Sequence, residues 1–447
     1  PVYVVAITTS LQDRISKNTY PIAILMTGIA LTLMYGLRHT NIPVGDISYE
    51  YYVFKLTLNS GYWDISNLYN HLNAMLSITI LPVVCRLFLG VSESAVFLVI
   101  YRILTAVFPL CAYALFRKYL NDRRAFLATF FLMSQFVFVT LLGSMARVEV
   151  AYLLFFSAIL VLFDNEIGEL GKRALFPILT LATILSHYST TFIFLLMLFL
   201  YWLLVTMIRS RIEIESPISG NTIALFTVFT FFWYAQITAV PFNNAVNFIK
   251  EATMNLARLS MEALTSHGIF LGGMEQHLTH KITTIIHDIS FVAIGVGVIQ
   301  LFRNYKRDAQ FEKSYLLLTF ISMGLLIFAI FLTTVYGGYG PERIFYQLLI
   351  FTAPAFIVGC ETIGNIISRI ISRIGLKLNL KTIVTLGLLT LQFFAGTYMI
   401  YQIGGLHYAE FLNTDGVRYT KFYVHDQDIA GGKWLSSYNR NTQVWSD

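Results

Sequence analysis

Charge is what this sequence has least of. Only 13% of its 447 residues are Asp, Glu, Lys or Arg, against 56% hydrophobic residues. A soluble globular chain carries about 25% charged residues, so the deficit excludes an ordinary soluble domain. Cysteine is scarce as well. Cys85, Cys111 and Cys360 fall in or beside apolar runs with no paired spacing, which excludes a disulfide framework and a zinc finger. HExxH, P-loop and GxSxG patterns are missing, which removes the zinc proteases, the P-loop nucleotidases and the serine hydrolases of that type. The net charge of +6 is spread along the chain, and a nucleic-acid partner would want it clustered. There is no internal repeat and no low-complexity tract.

Long apolar runs are what the chain has instead. A span needs about twenty apolar residues at a 1.5 Å rise, and eleven segments are read as spans. They are Tyr20–Leu37, Val91–Phe116, Arg124–Leu142, Val148–Phe163, Ala174–His187, Thr191–Ile208, Thr222–Ala239, Ile289–Leu301, Ser314–Val335, Ile344–Ile366 and Thr382–Tyr401. Tyr20–Leu37 follows Lys17 without a small-residue cleavage site, so it reads as a true span rather than a signal peptide. Asn73–Leu89 carries Pro82 and Arg86 and is read as a helix lying in the interface. The abrupt ends at Pro1 and Asp447 leave room for more chain on either side. The expected fold is an all-α polytopic membrane protein, with a transmembrane domain over 1–401 and the start of a C-terminal extracytoplasmic region over 402–447.

Basic residues orient these spans. One set of connections holds Arg14 and Lys17, Arg117 to Arg123, Lys172 and Arg173, Arg209 and Arg211, Arg303 to Lys313, and Arg369 to Lys381. The opposite set is sparser, and the positive-inside rule places the richer set in the cytoplasm. Extracytoplasmic loops then cover 38–90 and 240–287. The second contains FNNAVNFIKEATMNLARL at helical spacing, a break at Gly268, Gly272 and Gly273, and His277, His280 and His287. It reads as an amphipathic interfacial helix followed by a mobile segment. In the tail, GGKWLSSYNRNTQVWSD reads as an opening helix and strand.

Ionisable groups at a membrane boundary are costly and therefore mark function. On this topology Asp46, Glu50, Arg147, Glu149, His187 and Arg343 converge at the extracytoplasmic mouth, from loops and helix ends far apart in sequence. Asp46 reads as a general base whose pKa burial would raise, or more plainly as a helix N-cap after Gly45. Asp46 and Glu50 share a helix face, as a carboxylate pair can. Arg147 and Glu149 stand two apart on one helix and point different ways. Glu149 reads as a second acid or metal ligand, or as a favourable charge at a helix N-terminus. His187 lies in LSHYSTTF at a turn, where Ser and Thr can satisfy it. Arg343 in VYGGYGPERIFYQ follows a glycine-rich loop, and its fork suits a phosphate. Snorkelling to the head-group level is the plainer account.

The segments GDISYEYY, ARVEV, SHYST and GPERIF together resemble the GT-C superfamily of integral membrane glycosyltransferases, closest to an archaeal multi-spanning group. The resemblance implies a GT-C-like bundle in the plasma membrane and a polyprenyl-phosphate-sugar donor entering from the bilayer. It implies transfer with inversion to a glycan, lipid or protein acceptor outside the cytoplasm. By position, Asp46 becomes the base and Glu149 a second catalytic acid. Arg343 and Arg147 become the donor-phosphate contacts, and Tyr49, Glu50, His187 and Glu342 line the substrate. A divalent cation, magnesium or manganese, is allowed at Glu149. The first loop lacks the adjacent acidic pair of the protein-mannosyltransferase members, which leaves metal dependence and acceptor class open. The rival readings are a transporter or flippase of a lipid-linked saccharide, and a surface-polysaccharide polymerase or ligase.

Overall fold

A computed structural model describes residues 16–68, 70–208, 214, 216–239, 246, 277–304, 311–335, 341–373, 380–406 and 413–438. The described residues form helices and turns, with no strand among them. The interfacial helix and glycine break expected within 240–276, the glycine-rich stretch 336–340 and the strand expected after residue 438 lie outside these residues.

The first part of the chain builds α1 (Thr19–Gly36), α2 (Asp46–Ser60), α3 (Ile80–Leu89) and α4 (Glu93–Tyr119). Of the expected interfacial segment Asn73–Leu89, only α3 is helical; the residues before it form turns. Asn73 explains the turns, because its Nδ2 donates to the Asp64 and Leu68 carbonyls, at 2.8 and 3.1 Å, instead of facing out of a helix. Leu87, Phe88 and Leu89 of α3 are exposed, as an apolar face against lipid would be.

Next come α5 (Asp122–Met133), α6 (Val137–Ser144), α7 (Ala146–Phe163), α8 (Glu169–Ser186) and α9 (Tyr188–Ile208). The single span expected over Arg124–Leu142 is broken, α5 and α6 meeting at 59°. Ser134 Oγ donates back to the Phe130 carbonyl at 2.7 Å and Gln135 Nε2 to the Phe131 carbonyl at 2.9 Å. Such back-bonding loosens a helix. α10 (Gly220–Phe231) continues as a wider turn over Phe232–Ile237.

The last group is α11 (Leu278–Asn304), α12 (Lys313–Val335), α13 (Pro341–Ser372), α14 (Lys381–Gly396) and α15 (Met399–Ile403), followed by α16 (Gly416–Phe422) and α17 (Asp426–Tyr438). The expected span Ile289–Leu301 falls in the second half of a helix that begins at Leu278, because the polar residues ahead of it find partners. His280 Nδ1 lies 3.0 Å from the Tyr401 hydroxyl, and His287 Nδ1 lies 3.2 Å from Gln392 Oε1. The span expected over Thr382–Tyr401 breaks at Tyr398, whose φ is +59°. Among the described residues, six helices are long and apolar enough to cross a membrane, or seven if α5 and α6 count as one bent span.

Glycine sets a close helix crossing. A Cβ on Gly297 would sit 1.8 Å from the Ala355 carbonyl oxygen, and one on Gly359 would sit 1.8 Å from that of Ala293. Small residues at membrane helix interfaces allow this approach. At one end of the bundle Arg124 grips Glu361 with two bonds of 2.8 and 2.6 Å, tying α5 to α13, and Lys381 joins them at 3.3 Å.

At the other end the tail packs on the first loop. Arg38 donates to the Asn413 carbonyl at 2.8 Å and to the Tyr423 hydroxyl at 2.9 Å, and the Val44 N–H donates to the Phe422 carbonyl at 3.0 Å. The His39 ring lies between Tyr35 and Tyr423, at centroid distances of 4.9 and 4.4 Å. Burial, then the charges of Arg38 and Arg102, lower the His39 pKa from 6.5 to about 4.

Two predictions follow from these packings. Gly297→Ala lowers the thermal midpoint by an amount equivalent to about 1–3 kcal/mol of overpacking. Gly324→Ala, with nothing within 4 Å of its added Cβ, leaves the midpoint unchanged or raises it. Because the folded state binds a proton at His39 more weakly than the unfolded chain, stability from this site is complete above pH 6.5 and is lost as pH falls toward about 4. His39→Phe keeps the ring stack and flattens the pH dependence of thermal unfolding over that interval.

Candidate functional site

The site is built on α2 and the first turn of α7. Gly45 precedes α2 with φ +131°, a conformation that L side chains rarely adopt. Asp46 is therefore the first helical residue and not the N-cap. One turn later Glu50 projects from the same face, as the spacing predicts. Both carboxylates meet Arg147: Nη2 donates to Asp46 Oδ2 at 2.7 Å, and Nη1 donates to Glu50 Oε1. The second Glu50 oxygen accepts from the Ala146 backbone N–H at 2.7 Å. Glu50 thus caps the N-terminus of α7 from another helix, where unpaired N–H groups favour an anion.

Burial separates the roles of the two acids. The Glu50 side chain is 0% exposed, and that of Asp46 is 52% exposed. Desolvation pushes the Glu50 pKa up, opposed by Arg147 and by the Ala146 N–H. Asp46 presents a carboxylate to the outside while an almost buried guanidinium, 6% exposed, holds it in place.

Glu149 faces elsewhere. Its carboxylate meets Arg102 of α4 at 2.5 Å, both side chains closed off from solvent. Arg102 escaped the sequence reading because it lies inside an apolar run; only its being a lone cation in a span could have flagged it. Its neighbourhood is tight: Thr32 Oγ1 of α1 donates to the Arg102 carbonyl at 3.0 Å, and a Cβ on Gly36 would meet Arg102 Cγ at 2.9 Å.

His187 is buried between α8 and α9, its Nδ1 2.8 Å from Thr190 Oγ1. Gln347 of α13 donates to the Thr190 carbonyl at 3.0 Å. The Tyr188 ring joins His187 to His71, at centroid distances of 5.3 and 5.8 Å. His71 is a residue the sequence reading missed. Its pKa is lowered by burial and by Arg147, with Asp46 opposing. It sits in an irregular stretch where no periodicity points to it.

Arg343 joins through its backbone, its carbonyl accepting from the Tyr152 hydroxyl of α7 at 2.9 Å. Tyr152 lies about 7.5 Å along α7 from Arg147. Glu342 is partly buried beside Arg343 in the first turn of α13, and Tyr49 is exposed on α2. Asp46, Glu50, Arg147 and His71 therefore share one neighbourhood, which reaches His187 through Tyr188.

The described residues do not fit a divalent cation. Asp46 and Glu50 both spend oxygens on Arg147, Glu149 is sealed against Arg102, and no group of three or more metal-ligating side chains occurs among the described residues. Asp426 and Asp428, an acidic pair with one residue between, lie in the tail, where Asp428 Oδ2 accepts from the His425 N–H at 2.8 Å and caps α17.

The two buried ion pairs make the expected cost of mutation asymmetric. Arg102→Met strands the Glu149 carboxylate and destabilises the protein by roughly 3–5 kcal/mol. Adding Glu149→Leu restores most of that loss in the thermal unfolding of the double variant. Equal losses in the single and double variants would show that the pair is not coupled.

Residues 172–447 match the model of a family described as predicted membrane protein (DUF2206). That stretch holds His187, Arg343 and the tail, while Asp46, Glu50, Arg102, Arg147 and Glu149 precede it. No curated protein and no solved structure matches the chain. The match spans well over half the sequence and agrees with the apolar helices described above; the chain belongs to this family of predicted membrane proteins.

Proposed function

We propose that the protein is a glycosyltransferase of GT-C type, transferring a sugar from a polyprenyl-phosphate donor to an acceptor outside the cytoplasm. The observation that carries this reading is the half-exposed Asp46 carboxylate, fixed by Arg147, which Glu50 anchors from inside. In the proposed reaction Asp46 takes the proton of an acceptor hydroxyl. The hydroxyl oxygen attacks the anomeric carbon from the face opposite the leaving group. The bond from that carbon to the phosphate oxygen breaks, and the lipid phosphate departs with the electron pair, inverting the centre. No metal enters the scheme.

Two assignments change in the light of the geometry. Arg147 is already neutralised by two carboxylates, which would repel an incoming phosphate, so its role becomes positioning Asp46. The donor phosphate is left to Arg343, through electrostatic stabilisation of the leaving charge. Glu149 supports the cluster through Arg102 rather than touching substrate. His187, Tyr49 and Glu342 remain candidates for lining the substrate. An eleven-span bundle in the plasma membrane, with α2 on the extracytoplasmic face, is part of the same proposal and rests on the distribution of basic residues.

One observation favours the rival transporter reading. The 59° break between α5 and α6 is the kind of discontinuity that transporters use. Asp46→Asn separates the two. Glu50 still neutralises Arg147 in that variant, so folding is retained. In vesicles supplied with polyprenyl-phosphate sugars, release of free polyprenyl phosphate should fall by about 100-fold or more, the usual scale for losing a general base. Unchanged release would sink the assignment of Asp46, and lipid-saccharide translocation without sugar transfer would favour the transporter.

A further inference from the structure

A second polar site lies at the opposite end of the bundle. Roughly 26 residues, or about 39 Å of helix, separate Arg343 from Arg369 along α13. The close crossing of α11 and α13 at Gly297 and Gly359 explains why a cleft forms there. Backbones held in contact at one level diverge beyond it, and the residues one to three turns further on cannot pack against each other.

The cleft holds about 570 Å³ and is lined by Gln300, Arg303 and Asn304 of α11 and by Thr362, Asn365 and Arg369 of α13. Its size falls within the range of small-molecule sites, about 300–1,000 Å³. Two arginines, three amide side chains and one hydroxyl line it, and no acid is among these lining residues. Neither Arg303 nor Arg369 has an ion-pair partner among the described residues. A smaller adjoining cavity of about 180 Å³ shares Gln300, Asn304, Thr362 and Asn365 and includes Glu361. That carboxylate is already held by Arg124 and Lys381.

We infer that this cleft binds a phosphate monoester or diester, the two arginines gripping the anion and the amides and Thr362 bonding its oxygens. Arginine's planar fork matches phosphate oxygens in pairs, and basic pockets between membrane helices hold anionic head groups. The rim suits a lipid source. Ile366 lines the cleft at 49% exposed, and Ile299, one turn before Arg303 on the same helix, is 61% exposed, which offers an acyl chain apolar surface next to the two arginines. A soluble phosphate presents the same chemistry without needing that surface. The site is remote from Asp46, and its existence does not depend on the glycosyltransferase reading.

The test uses the full chain and the Arg303→Gln/Arg369→Gln double variant. Both arginines are exposed, so the variant is expected to fold with an unchanged thermal midpoint. Native mass spectrometry from phosphatidylcholine nanodiscs doped with phosphatidylglycerol reads lipid retention, and calorimetric titration with inorganic phosphate in detergent reads the soluble source. Arg117→Gln is the control, a basic residue near α5 that is already paired with Asp122 at 2.7 Å. The expected result is retention of phosphatidylglycerol by the wild-type chain and by Arg117→Gln, reduced at least about tenfold in the double variant, with phosphatidylcholine unaffected. Phosphate binding that depends on the same two arginines supports the site with a soluble ligand. Identical behaviour of wild type and double variant toward both probes overturns the inference, as does an equal loss in Arg117→Gln.

Discussion

Arg147 is the constraint on which the site depends. A guanidinium taken out of water at the end of a membrane helix must be neutralised, since an unpaired buried charge costs several kcal/mol. Asp46 and Glu50 supply that neutralisation from the first turns of α2. Because Glu50 also accepts the Ala146 N–H, the same carboxylate fixes where α7 begins. One side chain thereby locks the loop helix to the bundle and leaves Asp46 as the partner that still faces outward.

A second pair repeats the logic one layer in. Glu149, two residues beyond Arg147 on α7, points away from it and is met by Arg102 of α4. The first turn of α7 is therefore crossed by two ion pairs on different faces, which bind it to α2 and to α4. Such pairs contribute register more than net stability, because desolvation offsets much of their attraction. The contacts made by Gly36 against α4 belong to the same arrangement.

Elsewhere the bundle is held by small residues and by polar side chains that find each other within the apolar helices. Gly297 and Gly359 bring α11 and α13 into backbone contact. Gln392 of α14 bonds His287, Ser290 and Gln135 in one network. Neither lipid nor the hydrophobic effect discriminates between apolar helix faces, so close approach and polar partners select the neighbours.

Much of the architecture was legible in order. The apolar runs marked where helices form, because period and hydropathy are local properties of the chain. The shared face of Asp46 and Glu50 followed from their spacing, and so did the divergence of Arg147 from Glu149. Partners are a different matter. That Arg147 takes both carboxylates, and that Glu149 belongs to Arg102, depends on which helices pack together. The same is true of the early start of α11 and of the place of His71. Each turns on a contact between residues remote in sequence. Composition and periodicity determined that this chain enters a membrane as helices. Only the tertiary structure decided which of its few charges remain accessible for chemistry, because burial and pairing are properties of the packed bundle.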